Sequence, residues 1–269
     1  MKYLLAILIS LFPYISLAVN FPTQTFDSSE MTVGNLFGKE GGTGWGSAWR
    51  NIVGTSCQAN TGWFSTTTVV KAGDQSGGMY SNATGGRCVR TFTSPVTTDA
   101  QEVQWWWNTT ATNARYIVWV ANGNIEAASK GMYTLVRNTG QFTVYDNLIL
   151  TDQGAYSINT WYHVCLKQTP STEVFVVYFG TAATCGTYSS NYSWLNKDAY
   201  IATSTDTLVL QDTGDVTGGS RFVIDEFSDV NAAGAAVTPP TTDQQNWFMI
   251  LFAPIQRILA RYVNFAYAY

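Results

Sequence analysis

A period of two runs through most of this chain and limits its fold more than any other feature. Between residues 19 and 231, apolar and polar residues alternate in short runs. The runs predict strands over 19–27, 63–71, 87–92, 100–109, 115–121, 132–137, 141–146, 160–168, 173–180, 199–203, 207–210 and 221–230. Between them stand Asn122-Gly123, Asn138-Thr139-Gly140, Thr169-Pro170-Ser171 and Gly218-Gly219, residues that favour turns. The glycine-rich stretch 34–50, with Gly41-Gly42 and Gly44-Trp45-Gly46, reads as loop. Successive side chains on a strand point to opposite faces, so each strand has one face to bury. The expected fold is all-β, an antiparallel β-sandwich or jelly roll, with almost no helix before residue 240.

The two ends of the chain do not follow this period. Residues 1–18 have Lys2, an apolar stretch over 4–17 and small residues at Ser16 and Ala18. That is the pattern of a signal peptide cleaved after Ala18, and the stretch is shorter than the roughly 20 residues of a membrane span. Residues 232–246, with Thr238-Pro239-Pro240-Thr241, read as a linker after the 19–231 domain. Residues 247–269 are apolar and aromatic, yet Pro254, Arg257 and Arg261 make a poor transmembrane segment. As a helix, Arg257, Arg261 and Asn264 share one face, and Ile255, Ile258, Leu259, Tyr262 and Phe265 share most of another. Such a segment lies on a membrane surface, docks on a partner or another copy, or packs on its own domain.

Only 12% of residues are charged, against roughly 25% in ordinary soluble domains. Ser, Thr, Asn, Gln and Gly must therefore solvate the surface, which fits a secreted, extracellular or cell-surface protein. A net charge of −4 and the lack of any Lys/Arg cluster argue against nucleic acid as a partner. Cys57, Cys88, Cys165 and Cys185 include no C-x-x-C pair. Three connectivities are open to four cysteines. The spacing favours Cys57–Cys88 and Cys165–Cys185, each closing a loop worth about 3 kcal/mol.

The order of several motifs resembles a known family. Phe26-Asp27, Gly38, Gly41-Gly42-Thr43-Gly44-Trp45 and Ala48-Trp49 resemble the start of concanavalin A-like, laminin-G-like jelly-roll domains. Residues 133–136, Phe142-Thr143-Val144-Tyr145-Asp146, Trp161-Tyr162-His163-Val164, 173–179 and Phe222-Val223-Ile224-Asp225-Glu226-Phe227 follow the same order. The resemblance spans residues 21–231 and implies the fold, which hosts lectins, hydrolases, lyases and adhesion modules alike. It also implies a structural calcium ion between first and last strands, for which Asp27 and Asp225 are the candidate ligands. Their alternative roles are a turn cap at Asp27 and a solvated or hydrogen-bonded strand residue at Asp225. No other cofactor is required.

Catalysis has little support in the residues. The Glu-x-Asp-x-x-Glu motif of jelly-roll hydrolases is missing, as are the Gln-Ile-His and Tyr-Phe-Lys-Ala-Gly motifs of alginate lyases. Glycoside hydrolysis needs two carboxylates about 5–10 Å apart, and among the six glutamates only a pair such as Glu102 with Glu226 is conceivable. The sole histidine, His163, lies in a strand and has no Gly-x-Ser-x-Gly elbow to serve.

Sugar binding requires flat rings beside amides and carboxylates. In 101–107 the alternation places Val103, Trp105 and Trp107 on the core side, and Glu102, Gln104 and Trp106 on the other. Trp106 with Gln104 and Glu102 is therefore the first candidate platform. Tyr145, alternating away from Phe142 and Val144, is a further candidate, as are Trp45 and Trp63 near glycine-rich loops, with Trp49 beside them. The functions that remain are a non-catalytic carbohydrate-binding or adhesion module and a structural surface component held by its tail, with a polysaccharide-cleaving glycosidase or lyase ranked third. The partner is then a glycan or extracellular surface ligand, or a membrane or subunit contacted through 247–269. Sequons stand at Asn82, Asn108 and Asn191.

Overall fold

The structure, a computed structural model, describes residues 21–53, 63–80, 86–110, 116–122, 130–196, 204–212 and 221–230. The expected signal segment 1–18, Cys57, the sequon at Asn82, the strand over 199–203, the linker and the tail lie outside the described residues. The chain divides into two compact units, Met1–Val230 and Asn231–Tyr269.

The elements of the first unit are strands. They are β1 (Gly34–Asn35), β2 (Arg50–Val53), β3 (Trp63–Thr66), β4 (Ser76–Tyr80), β5 (Gly86–Val96), β6 (Glu102–Thr109), β7 (Tyr116–Asn122) and β8 (Lys130–Val136). The chain continues through β9 (Gln141–Asp146), β10 (Ile149–Ala155), β11 (Tyr162–Thr169), β12 (Val174–Gly180), β13 (Tyr192–Ser193), β14 (Thr205–Asp212) and β15 (Arg221–Asp229). Two sheets result. The eight-stranded sheet has the order β1-β3-β4-β15-β6-β11-β12-β13, and the seven-stranded sheet β10-β9-β8-β7-β14-β5-β2. The paired strands in both sheets are antiparallel.

The facing surfaces of the sheets make one core. Trp105, Trp107, Val164, Leu166, Phe175, Val177, Phe222 and Ile224 come from one sheet, and Tyr116, Val118, Val120, Phe142, Val144, Leu208 and Leu210 from the other. Rings meet across the gap: Tyr116 stacks on Phe222 at 4.6 Å and Phe142 on Phe179 at 4.5 Å. Each such side chain contributes about 1.5–3 kcal/mol by leaving water, which is why the period of two determines the architecture. The outward face of the seven-stranded sheet is also apolar, with Val89, Ile117, Trp119, Ala121, Leu135 and Val209 buried there.

Departures from expectation have local causes. The strand expected over 19–27 is reduced to two bridges, Thr23 with Thr43 and Gln24 with Phe227. The Glu30 carboxylate collects the amides of Thr25 and Phe26, and Phe26 turns to a φ of 65°, so the ladder cannot extend. The expected loop over 34–50 contains β1 and the first residue of β2. β4 carries Gly77 and Gly78 and has no counterpart among the expected strands. It is a strand because the Phe26 ring packs so tightly on Gly77 that a Cβ would stand 2.7 Å from it. β10 follows β9 through Asn147, whose φ of 51° closes the two-residue turn; its Asp152, Gln153 and Gly154 hide the alternation.

Candidate functional site

β6 is a central strand, and it sets the outward surface of the eight-stranded sheet. Trp106 lies opposite His163 of β11 on one side and Asp225 of β15 on the other. The core and outward faces of β6 fall as the alternation predicts. The exposure does not. Trp106 is only 7% exposed. On the β11 side the His163 ring stacks on it at 4.5 Å and 6°. On the β15 side the Lys71 Nζ stands 4.1 Å from the ring centroid. Both faces of the indole are occupied, so it presents no face for the C–H groups of a sugar.

Its neighbours are engaged as well. The carboxylate of Glu102 faces Lys167 Nζ at 3.4 Å. The Gln104 side-chain amide lies 3.0 Å from His163 Nε2 and 3.2 Å from Ser228 Oγ. His163 Nδ1 is 3.1 Å from the Ala182 carbonyl oxygen. Burial, with a smaller push from Lys71, holds the His163 pKa below its ordinary value, so the ring is neutral and has one N–H. The two ring nitrogens face oxygens, the Ala182 carbonyl and Gln104 Oε1, and Gln104 Nε2 donates to Ser228 Oγ.

Cys165 and Cys185 are bonded to one another, as the spacing favours. The bond ties the 181–185 loop to β11 above Gln104. His163, Cys165 and Cys185 lie close enough to hold a metal ion, but with the sulfurs in a disulfide no thiolate is present to ligate one. Cys88 is also disulfide-bonded.

Tyr145 belongs to the opposite side of the molecule, on the outward face of the seven-stranded sheet, half-buried and edge-on to Tyr133 at 4.6 Å. Trp63 begins β3, and its side chain lies outside the described set. The expected platform residues are thus dispersed over separate surfaces.

Asp27 and Asp225 do not fit a calcium ion. Asp225 is fully buried. Its Oδ2 accepts the amides of Lys71 at 2.9 Å and Ala72 at 3.2 Å, and its Oδ1 accepts the amide of Glu226 at 2.9 Å. Asp27 Oδ1 accepts the amide of Asp74 at 3.0 Å. Calcium takes six to eight oxygens, whereas here the carboxylate oxygens hold the 71–74 loop through its own amides. Burial raises the Asp225 pKa to about 7 against the pull of those amides.

Trp45 leads to a different site. The loop over 40–47 crosses the rim of the sandwich and encloses a cavity of about 260 Å³, lined by Glu40, Gly41, Gly42, Gly44, Trp45, Gly46, Ser47 and Arg90. Gly42, at a φ of 69°, lies against the Thr23 carbonyl, which a Cβ would approach to 2.1 Å, so the loop can pass only as glycine. Trp45 donates its indole N–H to the same carbonyl at 2.9 Å. Its ring packs on Trp49, Phe92 and Phe227, and the Arg90 guanidinium lies 4.6 Å from its centroid.

Arg90 is 2% exposed. It sits on the core-facing side of β5, between Cys88 and Phe92. Nε donates to the Ser47 carbonyl at 2.8 Å, and Nη1 donates to Gln24 Oε1. Gln24 in turn donates to Glu30. Burial lowers the Arg90 pKa to about 10, with Glu30 and Glu40 opposing the shift, so it remains a cation at neutral pH. Among the described residues, Nη2 of Arg90 and the carboxylate of Glu40 make no hydrogen bond. Both belong to side chains that line the cavity. Sequence reasoning passed over both. The available signal was a lone arginine at a core-facing position of the 87–92 strand, where a charge needs a reason.

No family model matches the sequence, and no curated protein matches it. Solved structures similar to it include a sialidase (TM-score 0.47, 11% identity), of which the matched region is 16% of that chain and 67% of this one. A botulinum neurotoxin serotype D binding domain (0.45, 13%) is covered over 47% of its length and 74% of this chain. A winged bean acidic lectin, complexed with methyl-alpha-D-galactose (0.41, 10%), is covered over 96% of its length and 77% of this chain. The carbohydrate-binding module CBM66 from Bacillus subtilis (0.40, 10%) is covered over 92% and 66%.

Proposed function

We propose that this β-sandwich is a non-catalytic carbohydrate-binding module whose site is the rim cavity bounded by Glu40, Trp45 and Arg90. The observation that carries the reading is a buried arginine with N–H groups to spare and an exposed carboxylate lining one small cavity. Arg90 Nη2 offers N–H groups and Glu40 offers oxygens. A sugar hydroxyl both donates and accepts, so adjacent hydroxyls can bridge the two. The loop glycines add backbone groups, and the edge of Trp45 adds apolar surface. A cavity of about 260 Å³ lies just under the roughly 300–1,000 Å³ of drug-sized sites, which suits one ring of a glycan. No residue here is arranged as nucleophile and base.

Glycan-array binding of the full chain tests the reading. Binding that falls at least tenfold in Glu40→Ala supports it, and an array without signal overturns it. Export through residues 1–18, adhesion at a cell surface, and membrane or self-association through 247–269 belong to the same proposal, supported by the apolar leader and the two-faced tail. Flotation with lipid vesicles that survives deletion of 247–269 would refute the tail's part.

A further inference from the structure

We infer that the rim cavity selects neutral saccharides and turns away acidic ones, with Glu40 as the discriminating residue. The inference rests on the carbohydrate reading above and adds the class of sugar.

Two features of the cavity decide it. The first is charge. Arg90 is the one cation among the lining residues, and a half-buried counter-charge already reaches it through Gln24: Nη1 donates to Gln24, and Gln24 donates to Glu30. Glu40 is therefore an excess negative charge at the cavity wall, and it acts on Arg90 without pairing with it. A ligand carboxylate placed beside Arg90 would stand near the exposed Glu40 at the cavity mouth, where like charges repel and salt screens the repulsion. The second is hydrogen-bond geometry. A guanidinium grips a carboxylate with two nitrogens at once. Here Nε is committed to the Ser47 carbonyl, which removes the side-on Nε/Nη2 grip, and one N–H of Nη1 is held by Gln24. The three remaining N–H groups, one on Nη1 and two on Nη2, can meet hydroxyl oxygens, while Glu40 takes the hydroxyl protons. A neutral sugar satisfies both groups, whereas a uronate or sialylated sugar satisfies one and opposes the other.

The test measures the full chain and its Glu40→Gln variant against matched oligosaccharides, neutral and uronate- or sialic-acid-bearing, at low and moderate salt. Glu40 makes no hydrogen bond among the described residues, so the variant is expected to fold, and an unchanged melting temperature checks this. The wild type should bind neutral members at least tenfold more tightly than their acidic partners. Glu40→Gln should narrow that ratio by about tenfold, with the greater change at low salt. Acidic members bound as well as neutral ones, or a ratio that Glu40→Gln leaves unchanged, would overturn the selectivity while leaving carbohydrate binding in place. No binding to any member would overturn the carbohydrate reading and this inference with it.

Discussion

Asp225 provides a test of the energetics at the sheet surface. It is fully buried, and its two oxygens hold three amides, those of Lys71, Ala72 and Glu226. Burial, with a small push from Glu226, raises its pKa from 3.8 to about 7. Between those values the folded protein keeps a proton that the unfolded chain has released. Stability is therefore full below pH 3.8 and falls as pH rises to 7. About three pH units at 1.36 kcal/mol each give a loss of about 4 kcal/mol. For a domain of this size that is about 8–16 °C in Tm. Asp225→Asn has no charge to desolvate, so this component disappears. Its oxygen can keep the Lys71 and Ala72 amides, leaving the Glu226 amide opposite an NH₂ at a cost of about 1–3 kcal/mol. The variant should be less stable than wild type at pH 4 and equal or more stable at pH 8. Asp225→Ala loses all three bonds and should be destabilised at both. Thermal melts from pH 4 to 8 check this. Glu226 shifts in the same direction and interacts with Asp225, so the difference between the curves reports Asp225 together with its coupling to Glu226. Parallel curves for wild type and Asp225→Asn would refute the reasoning.

Three further outcomes are expected. Lys130, 2% exposed, pairs with Glu173 at 2.6 Å, so Lys130→Met should cost about 3 kcal/mol and lower Tm by about 6–12 °C in calorimetry; a change under 2 °C would count against a buried pair. His163 is the only histidine, and NMR of its ring should give a midpoint below 6.5, with the associated stability lost as pH falls through it. A midpoint at or above 6.5 would contradict the burial argument. Because amides occupy the Asp225 oxygens and Asp27 Oδ1, EDTA should leave the melting temperature unchanged, and a drop of several degrees would refute that assignment.

Much of the sandwich was legible in the chain because the signal is local. In β6, Val103, Trp105 and Trp107 alternate with Glu102, Gln104 and Trp106, and no distant residue can reverse which set shares a face. The same holds for Phe142 and Val144 in β9. Among the elements that escaped, β4 and β10 owe their pairing to partners: a Phe26 ring over Gly77, and an edge beside β9. The site escaped for a related reason. Trp106 belongs to the outward face as expected, but Lys71 and His163 cover its ring. Lys71 is held there by Asp225, 154 residues away in sequence.

By itself, then, the sequence determined the strand faces, the all-β class and the favoured Cys165–Cys185 pair, because periodicity and spacing act over a few residues. Only the tertiary structure decided which outward-facing groups meet solvent. Exposure depends on loops brought in from far along the chain, and those loops closed over Trp106. The glycine loop at 41–46 likewise folded beside a buried arginine of β5 and brought the Arg90 guanidinium and the exposed Glu40 carboxylate to one cavity.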